Sequence, residues 1–185
     1  MDARFIIFIA VYSIFIPGAM IWVFSQVVGL IRAKGVPFVP LTSKKLQEVF
    51  NHVKLKPTDS LVDLGSGDGR VLRSFEKQGV TKLAGYEVNY WAYLQSLVKN
   101  KFYHSKAKMY FKNFKKVDLG QYNIVFCYLL EGYLTSLKDK FDKELKPGTK
   151  VISYGFQVKD WLVPEIIYTI PENKNLGLIF IYTIK

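Results

Sequence analysis

A chain of 185 residues has room for one domain of ordinary size with a substantial apolar core. Its one cysteine, Cys127, excludes an intramolecular disulfide framework and a cysteine-rich zinc site, and with only His52 and His104 beside it no structural metal is expected. The formal charge of +11 would attract nucleic acid, acidic proteins or an anionic membrane, but the lysines are scattered, as codon bias alone also produces, and no compact basic run interleaved with aromatics marks a nucleic-acid module.

The stretch from Phe5 to Ile31 holds 27 residues without a charge, whereas about 20 helical residues cross a hydrocarbon core of about 30 Å. This predicts a transmembrane helix, since a cleaved signal peptide has a shorter apolar region, a more basic start and a small-residue cleavage site. Pro17-Gly18 near the middle kinks that helix or splits it into two shorter pieces. Arg4 precedes the span while Arg32, Lys34, Lys44 and Lys45 follow it, so the positive-inside rule makes the protein single-pass, with its bulk on the cytoplasmic side. Residues 1–34 are thus read as the membrane segment and 35–185 as the folded domain.

Gly35-Val36-Pro37-Phe38-Val39-Pro40 reads as an extended linker, because each proline disfavours helix in the residue before it. Leu46, Val49, Phe50 and Val53 then recur at helical spacing, with Thr42 or Ser43 as cap. Ser60 to Leu64 is a short apolar strand of the buried parallel kind. Val71, Leu72 and Phe75 mark a helix ending near Gly79, and Lys82 to Glu87 forms the second strand. Asn89 caps a helix with Trp91, Leu94, Val98 and Phe102 along one face. Short strands follow at Lys108 to Phe111 and Tyr122 to Tyr128, then one helix bearing Leu134, Leu137, Phe141 and Leu145, then a strand from Lys150 to Tyr154. The tail supplies two more strands, about Glu165 to Ile170 and Leu176 to Thr183, joined by Pro171-Glu172-Asn173-Lys174-Asn175. Such alternation predicts an α/β fold: a Rossmann-like sheet, mostly parallel and covered on both faces, with an antiparallel C-terminal edge. Ligands on such sheets sit at the carboxyl ends of the strands.

The chemistry concentrates at Val62-Asp63-Leu64-Gly65-Ser66-Gly67-Asp68-Gly69-Arg70, where a strand breaks into glycines at alternate positions. A glycine turn between strand and helix lets a ligand approach the backbone, and an acid closing the next strand, here Glu87, can accept both hydroxyls of a ribose. Gly65 and Glu87 stand 22 residues apart, the length of a strand, loop, helix and strand unit. The pattern departs from the dinucleotide fingerprint, and Asp63 and Asp68 flank the loop with negative charge that repels a pyrophosphate. A nucleoside with a cationic amino-acid end suits it, which points to S-adenosylmethionine, with Ser66 and Asp68 of the loop among its contacts.

This loop, followed by Gly85-Tyr86-Glu87-Val88-Asn89, resembles that of class I S-adenosylmethionine-dependent methyltransferases, whose sheet has seven strands. Together with the apolar N-terminal segment and Pro37-Phe38-Val39-Pro40, it resembles the membrane-anchored lysine N-methyltransferases that act on adenine nucleotide translocase and the ATP synthase c subunit. The resemblance implies that Asp63, Gly65 and Gly67 line the methionine end, that Glu87 holds the ribose, and that Pro40 and Thr42 lie close to the cofactor. After the third strand such enzymes commonly carry an acid near the adenine, where this chain has Asn113, an amide that can still donate or accept.

For a lysine acceptor the site must admit a neutral amine, which a desolvating aromatic slot favours by lowering the pKa. Tyr128 and Glu131 after the fourth strand, and Tyr154 with Phe156 after the fifth, are candidates to line it, although sheet-end packing also accounts for each. The segment Phe126-Cys127-Tyr128-Leu129-Leu130-Glu131 lacks the Asn/Asp-Pro-Pro-Tyr of amino-methylases of bases and glutamine, and there is no Pro-Cys pair for cytosine chemistry. The expected activity is lysine methylation of a membrane or membrane-associated protein. A methyltransferase acting on a lipid or small molecule, and a non-catalytic membrane-tethered nucleoside-binding module, are the alternatives.

Overall fold

The computed structural model describes residues 2–32, 39–170 and 177–185. Helix α1 (Ala3–Arg32) is continuous across Pro17, so the chain is not split there. Val39 and Pro40 are described, but the linker from Gly35 to Phe38 and the turn from Pro171 to Asn175 lie outside the described residues.

Helix α2 (Ser43–His52) starts at Thr42, whose hydroxyl accepts the amide of Lys45 at 3.5 Å, and buries Leu46 and Val49. Strand β1 (Ser60–Leu64), helix α3 (Arg70–Lys77), strand β2 (Lys82–Glu87), helix α4 (Tyr90–Phe102) and strand β3 (Lys108–Phe111) follow, and then a 3-10 turn at Phe114–Lys116. Strand β4 is Ile124–Cys127, shorter than the apolar run around it. The single helix expected next is two, α5 (Glu131–Thr135) and α6 (Lys138–Glu144). At the break the Ser136 hydroxyl donates to the Tyr133 carbonyl at 2.7 Å, competing with the helical backbone. Leu134, Leu137, Phe141 and Leu145 are nevertheless all buried. Strands β5 (Lys150–Tyr154), β6 (Glu165–Tyr168) and β7 (Leu178–Thr183) complete the chain.

The seven strands form one sheet in the order β3-β2-β1-β4-β5-β7-β6. The first five are parallel, and β7 pairs antiparallel with both β5 and β6. Side chains alternate across the sheet, so Leu61 joins one apolar layer with Phe75 and Phe126, while Val62 and Leu64 join the other with Phe141 and Tyr182. Both faces being covered, Asp63 at the end of β1 is only 2% exposed. Strand order reverses between β1 and β4, and the chain leaves their carboxyl ends as the glycine loop and as Tyr128-Leu129. That is where a crevice opens in sheets of this type.

Helix α4 is oriented against its composition. An apolar stripe ordinarily faces the core, yet Val98 is 69% and Phe102 74% exposed, whereas Ala92, Ser96 and Asn100 are buried. The inward polar groups have partners. Asn100 accepts from Arg73 Nη1 at 3.0 Å and donates to the Ala107 carbonyl at 2.9 Å, and the same Arg73 nitrogen donates to the Asp68 carbonyl at 2.8 Å. The face of α4 that braces the glycine loop is therefore its polar one.

Candidate active site

The loop after β1 owes its shape to three left-handed residues: Gly65, Gly67 and Gly69 have φ of +81°, +53° and +77°. It is held against β2, with the amides of Gly65 and Ser66 both donating to the Tyr86 carbonyl at 2.9 and 3.1 Å. The approach needs Gly85, because a Cβ there would lie 2.7 Å from Ser66 Cβ and from Leu72 Cδ1. Gly85 is thus part of the loop's architecture, although it stands in a strand one helix away.

Glu87 gathers three backbone donors. Its Oε2 accepts from Gly67 N at 2.8 Å and its Oε1 from Val88 N and Asn89 N, each at 2.7 Å. These bonds fix the carboxylate at the cleft, and Oε2, with a single donor, keeps a further acceptor site. Asn89 Oδ1 meanwhile caps α4 by accepting from Trp91 N and Ala92 N.

The two aspartates of the loop have opposite electrostatics. Burial, reinforced by the charges of Glu87 and Asp68, pushes Asp63 up to about 8. Its Oδ2 is buried without a hydrogen-bond partner, as is the Ser66 hydroxyl. An orphaned group of this kind costs about 1–3 kcal/mol, and both belong to residues that line the cleft. Asp68 is also buried, which opposes its charge, but hydrogen bonds from Arg70 and Lys99 outweigh this and hold it well below the usual carboxylate range. Arg70 Nη2 and Lys99 Nζ lie 2.8 and 2.6 Å from Asp68 Oδ2. Asp68 lines the cleft with its charge already neutralised by the protein.

The cleft is lined by Val39, Pro40 and Leu41, by Phe114, Tyr128, Leu129 and Tyr133, and by the polar Asp63, Ser66 and Glu87. Pro40 is among the lining residues, whereas Thr42 is exposed and serves as the α2 cap. Asn113 does not line the cleft. Its side chain accepts from Lys115 N at 2.9 Å, and it borders a separate shallow pocket with Lys112 and Lys116. The next residue, the buried Phe114, is among the cleft lining instead.

Among the acceptor-side candidates, Tyr128 lines the cleft and Tyr154 packs behind it, edge to face at 5.7 Å between ring centres. Burial raises the Tyr154 phenol above its ordinary pKa. Glu131 lies outside the lining and its Oε1 is paired with Lys159 Nζ at 2.8 Å. Phe156 is partly exposed. Sequence reading missed Phe114, Leu129 and Tyr133. Only their nearness to the ends of β3 and β4 signals them.

Comparison with known proteins places this geometry. The model of the ANTKMT methyltransferase domain matches residues 63–165. A protein-lysine N-methyltransferase of Saccharolobus islandicus (strain REY15A) is 32% identical over 152 residues, covering 80% of this chain and 94% of the relative. The Homo sapiens lysine N-methyltransferase of the ATP synthase c subunit is 33% identical over 133 residues, 71% of this chain but 56% of the human protein. The chain thus spans nearly all of the archaeal relative and little more than half of the human one. Among solved structures, an RNA methyltransferase from Salinibacter ruber, in complex with S-adenosyl-L-homocysteine, superposes with a TM-score of 0.70 at 23% identity, covering 79% of this chain and 94% of that one. At that identity the likeness is one of fold.

Proposed function

Because the chain belongs to the ANTKMT methyltransferase domain family, we propose that it is an S-adenosylmethionine-dependent protein-lysine N-methyltransferase, with residues 1–34 as membrane segment and 35–185 as catalytic domain. The observation that carries the cofactor assignment is the buried Asp63 Oδ2, orphaned beside the equally orphaned Ser66 hydroxyl at the foot of a glycine loop. An ammonium group satisfies such a carboxylate, and the amino-acid end of the cofactor brings one. Glu87, preset by three backbone amides, holds the ribose, with Oε2 left to accept a hydroxyl. Gly65 and Gly67 keep the path to the backbone open, Asp68 acts by holding the loop through Arg70 and Lys99, and Pro40 lines the cleft.

When bound, S-adenosylmethionine supplies an electrophilic methyl group on a sulfonium centre. The protein's share is alignment and exclusion of water. Tyr128 and Tyr133 form the acceptor side of the cleft, Tyr154 packs against Tyr128, and Glu131, two residues before Tyr133, is paired with Lys159. A lysine side chain surrounded by these rings loses hydration, which lowers its pKa and delivers the free lone pair that methyl transfer needs.

The acceptor is a protein lysine, in keeping with the named activity of the archaeal and human relatives. The membrane reading rests on α1, whose stretch Ile7–Ser25 has a mean hydropathy of 2.2 and no buried share. Residues 1–34 then tether the catalytic domain to a bilayer once, on its cytoplasmic side, which raises the local concentration of acceptors in or on that membrane. Incubation of the purified protein with radiolabelled S-adenosylmethionine and membrane extract tests the assignment. Label on lysine residues of protein is expected, and label found only in lipid or RNA overturns it.

A further inference from the structure

The methyl-transfer chemistry leaves the outward stripe of α4 unused. Trp91 is 40%, Val98 69% and Phe102 74% exposed, and Tyr103 continues the exposed run beyond the helix end. Tyr90 and Leu97 widen it. In an aqueous domain of this size a helix that turns its aromatics out and its serine and asparagine in is under pressure to bury that stripe elsewhere.

Three observations identify what covers it. Helix α1 packs against α4, and of the α1 side chains described only Ser25 and Val28, near its carboxyl end, are even half-buried. The stripe is thus next to the place where the apolar N-terminal helix meets the folded domain, and α1 does not cover it. Next, α4 holds no acid; with Lys99 paired to Asp68, its exposed cation is Lys101, and the segment just after it adds the exposed Lys106 and Lys108. Lastly, exposed tryptophan and tyrosine bordered by lysine is the composition of a segment lying in the plane of a bilayer interface, where rings sit at headgroup level and cations meet anionic lipid.

We propose that α4 lies flat on an anionic phospholipid surface, with Trp91, Val98 and Phe102 in the headgroup and upper acyl region, as a second membrane contact beside α1. This rests on the reading of α1 as a membrane tether and adds an orientation to it. A helix of 13 residues is about 20 Å long, and the residue that caps it, Asn89, lines the active cleft. Docking α4 therefore brings the cleft end of the helix to the bilayer surface, within reach of lysines displayed at the headgroups, and adds an orientation to the tether.

Site-directed spin labelling of the full chain reconstituted in vesicles of phosphatidylcholine and phosphatidylglycerol decides the matter. Cys127 is buried, so single labels are introduced by Ile14→Cys in α1, Val98→Cys in the stripe, and Gln121→Cys in an exposed loop near the start of β4. Accessibility to oxygen and to an aqueous nickel chelate is then compared. The expected result is an Ile14→Cys label in the hydrocarbon, a Gln121→Cys label in water, and a Val98→Cys label with an oxygen-to-nickel ratio at least about twofold above the aqueous one, falling when the vesicles are purely zwitterionic. If the Val98→Cys label matches the aqueous control while Ile14→Cys is immersed, α4 docking is wrong and the tether stands. If both are aqueous, the tether reading fails as well. Dipolar broadening between Val98→Cys labels means that a second copy covers the stripe, and immersion independent of lipid charge removes the anionic surface; either result overturns the proposal.

Discussion

Gly67 donates its amide to Glu87 across twenty residues of chain, N to Oε2 at 2.8 Å, so the middle glycine of the loop and the acid ending β2 form one unit. Glu87→Gln keeps the shape and removes the charge. A hydrogen bond to a charged group is worth about 1.5–3 kcal/mol, so calorimetry with S-adenosylhomocysteine should read binding weakened by roughly tenfold or more. Affinity equal to that of the wild type would remove Glu87 from the ribose contact.

Asp63 makes the ligand-free protein and its complex respond to pH in opposite ways. An unfolded aspartate titrates near about 3.9, while the folded ligand-free protein holds its proton up to about 8. Between those values the native state binds a proton that the unfolded chain has released, and this contribution to stability falls as pH rises. The stability of Asp63→Asn relative to wild type should therefore increase from about pH 5 to about pH 8 and level off above, as read by urea unfolding. A bound ammonium favours the carboxylate, so wild-type affinity for S-adenosylhomocysteine should rise over about pH 6 to 8, and the rise should be much reduced in Asp63→Asn. Parallel profiles for the two proteins would show that Asp63 does not face the amino-acid end.

Gly85→Ala places a methyl group 2.7 Å from Ser66 Cβ and Leu72 Cδ1. Overpacking of this kind costs about 1–3 kcal/mol, and because Ser66 is the residue displaced, cofactor affinity should drop together with the urea midpoint. Loss of stability with binding untouched would place the adjustment in Leu72 alone.

On the acceptor side, Tyr128→Ala should lower kcat/KM for a lysine peptide by about tenfold or more. Glu131→Gln, outside the cleft lining and paired with Lys159, should act mainly on KM, with stability changed by less than about 0.5 kcal/mol. A Tyr128→Ala enzyme with unaltered peptide kinetics would place the acceptor lysine against another wall.

Asn100→Leu keeps the branched outline of the side chain but strips Arg73 Nη1 of one acceptor and the Ala107 carbonyl of its donor. The expected loss is about 1–3 kcal/mol in urea unfolding, although the change is from polar to apolar at a buried site. A stabilised variant would mean that water or another group replaces both bonds.

Much of this is legible in the sequence where one local rule suffices. The apolar runs of β1 and β2, the Asn89 cap and the glycine loop all follow from short-range propensity, and their ends coincide at the cleft. What periodicity cannot supply is the choice of neighbour. It groups Trp91, Leu94, Val98 and Phe102 on one face of α4, but that Arg73 needs Asn100, twenty-seven residues away, and so draws the opposite face inward, is set by tertiary pairing. The same limit separates Asn113 from Phe114, since one residue of register after β3 decides which of them lines the cleft. The charge of Asp68 reads as free in the sequence and is spent on Arg70 and Lys99 in the fold.

Strand β7 follows every other element along the chain, yet it sits between β5 and β6, with Ile179, Phe180, Ile181 and Tyr182 buried. A ribosome adds about 5–20 residues per second from the amino end, so α1 is made well before the strand that joins β6 to the sheet. During synthesis β6 emerges before its neighbour exists, and the long-range pairing of β5 with β7 closes only afterwards, a slow step in chains dominated by distant contacts. With α1 as the membrane tether proposed above, capture at the bilayer precedes completion of the sheet, and the cleft at the strand ends is finished on a domain already tethered.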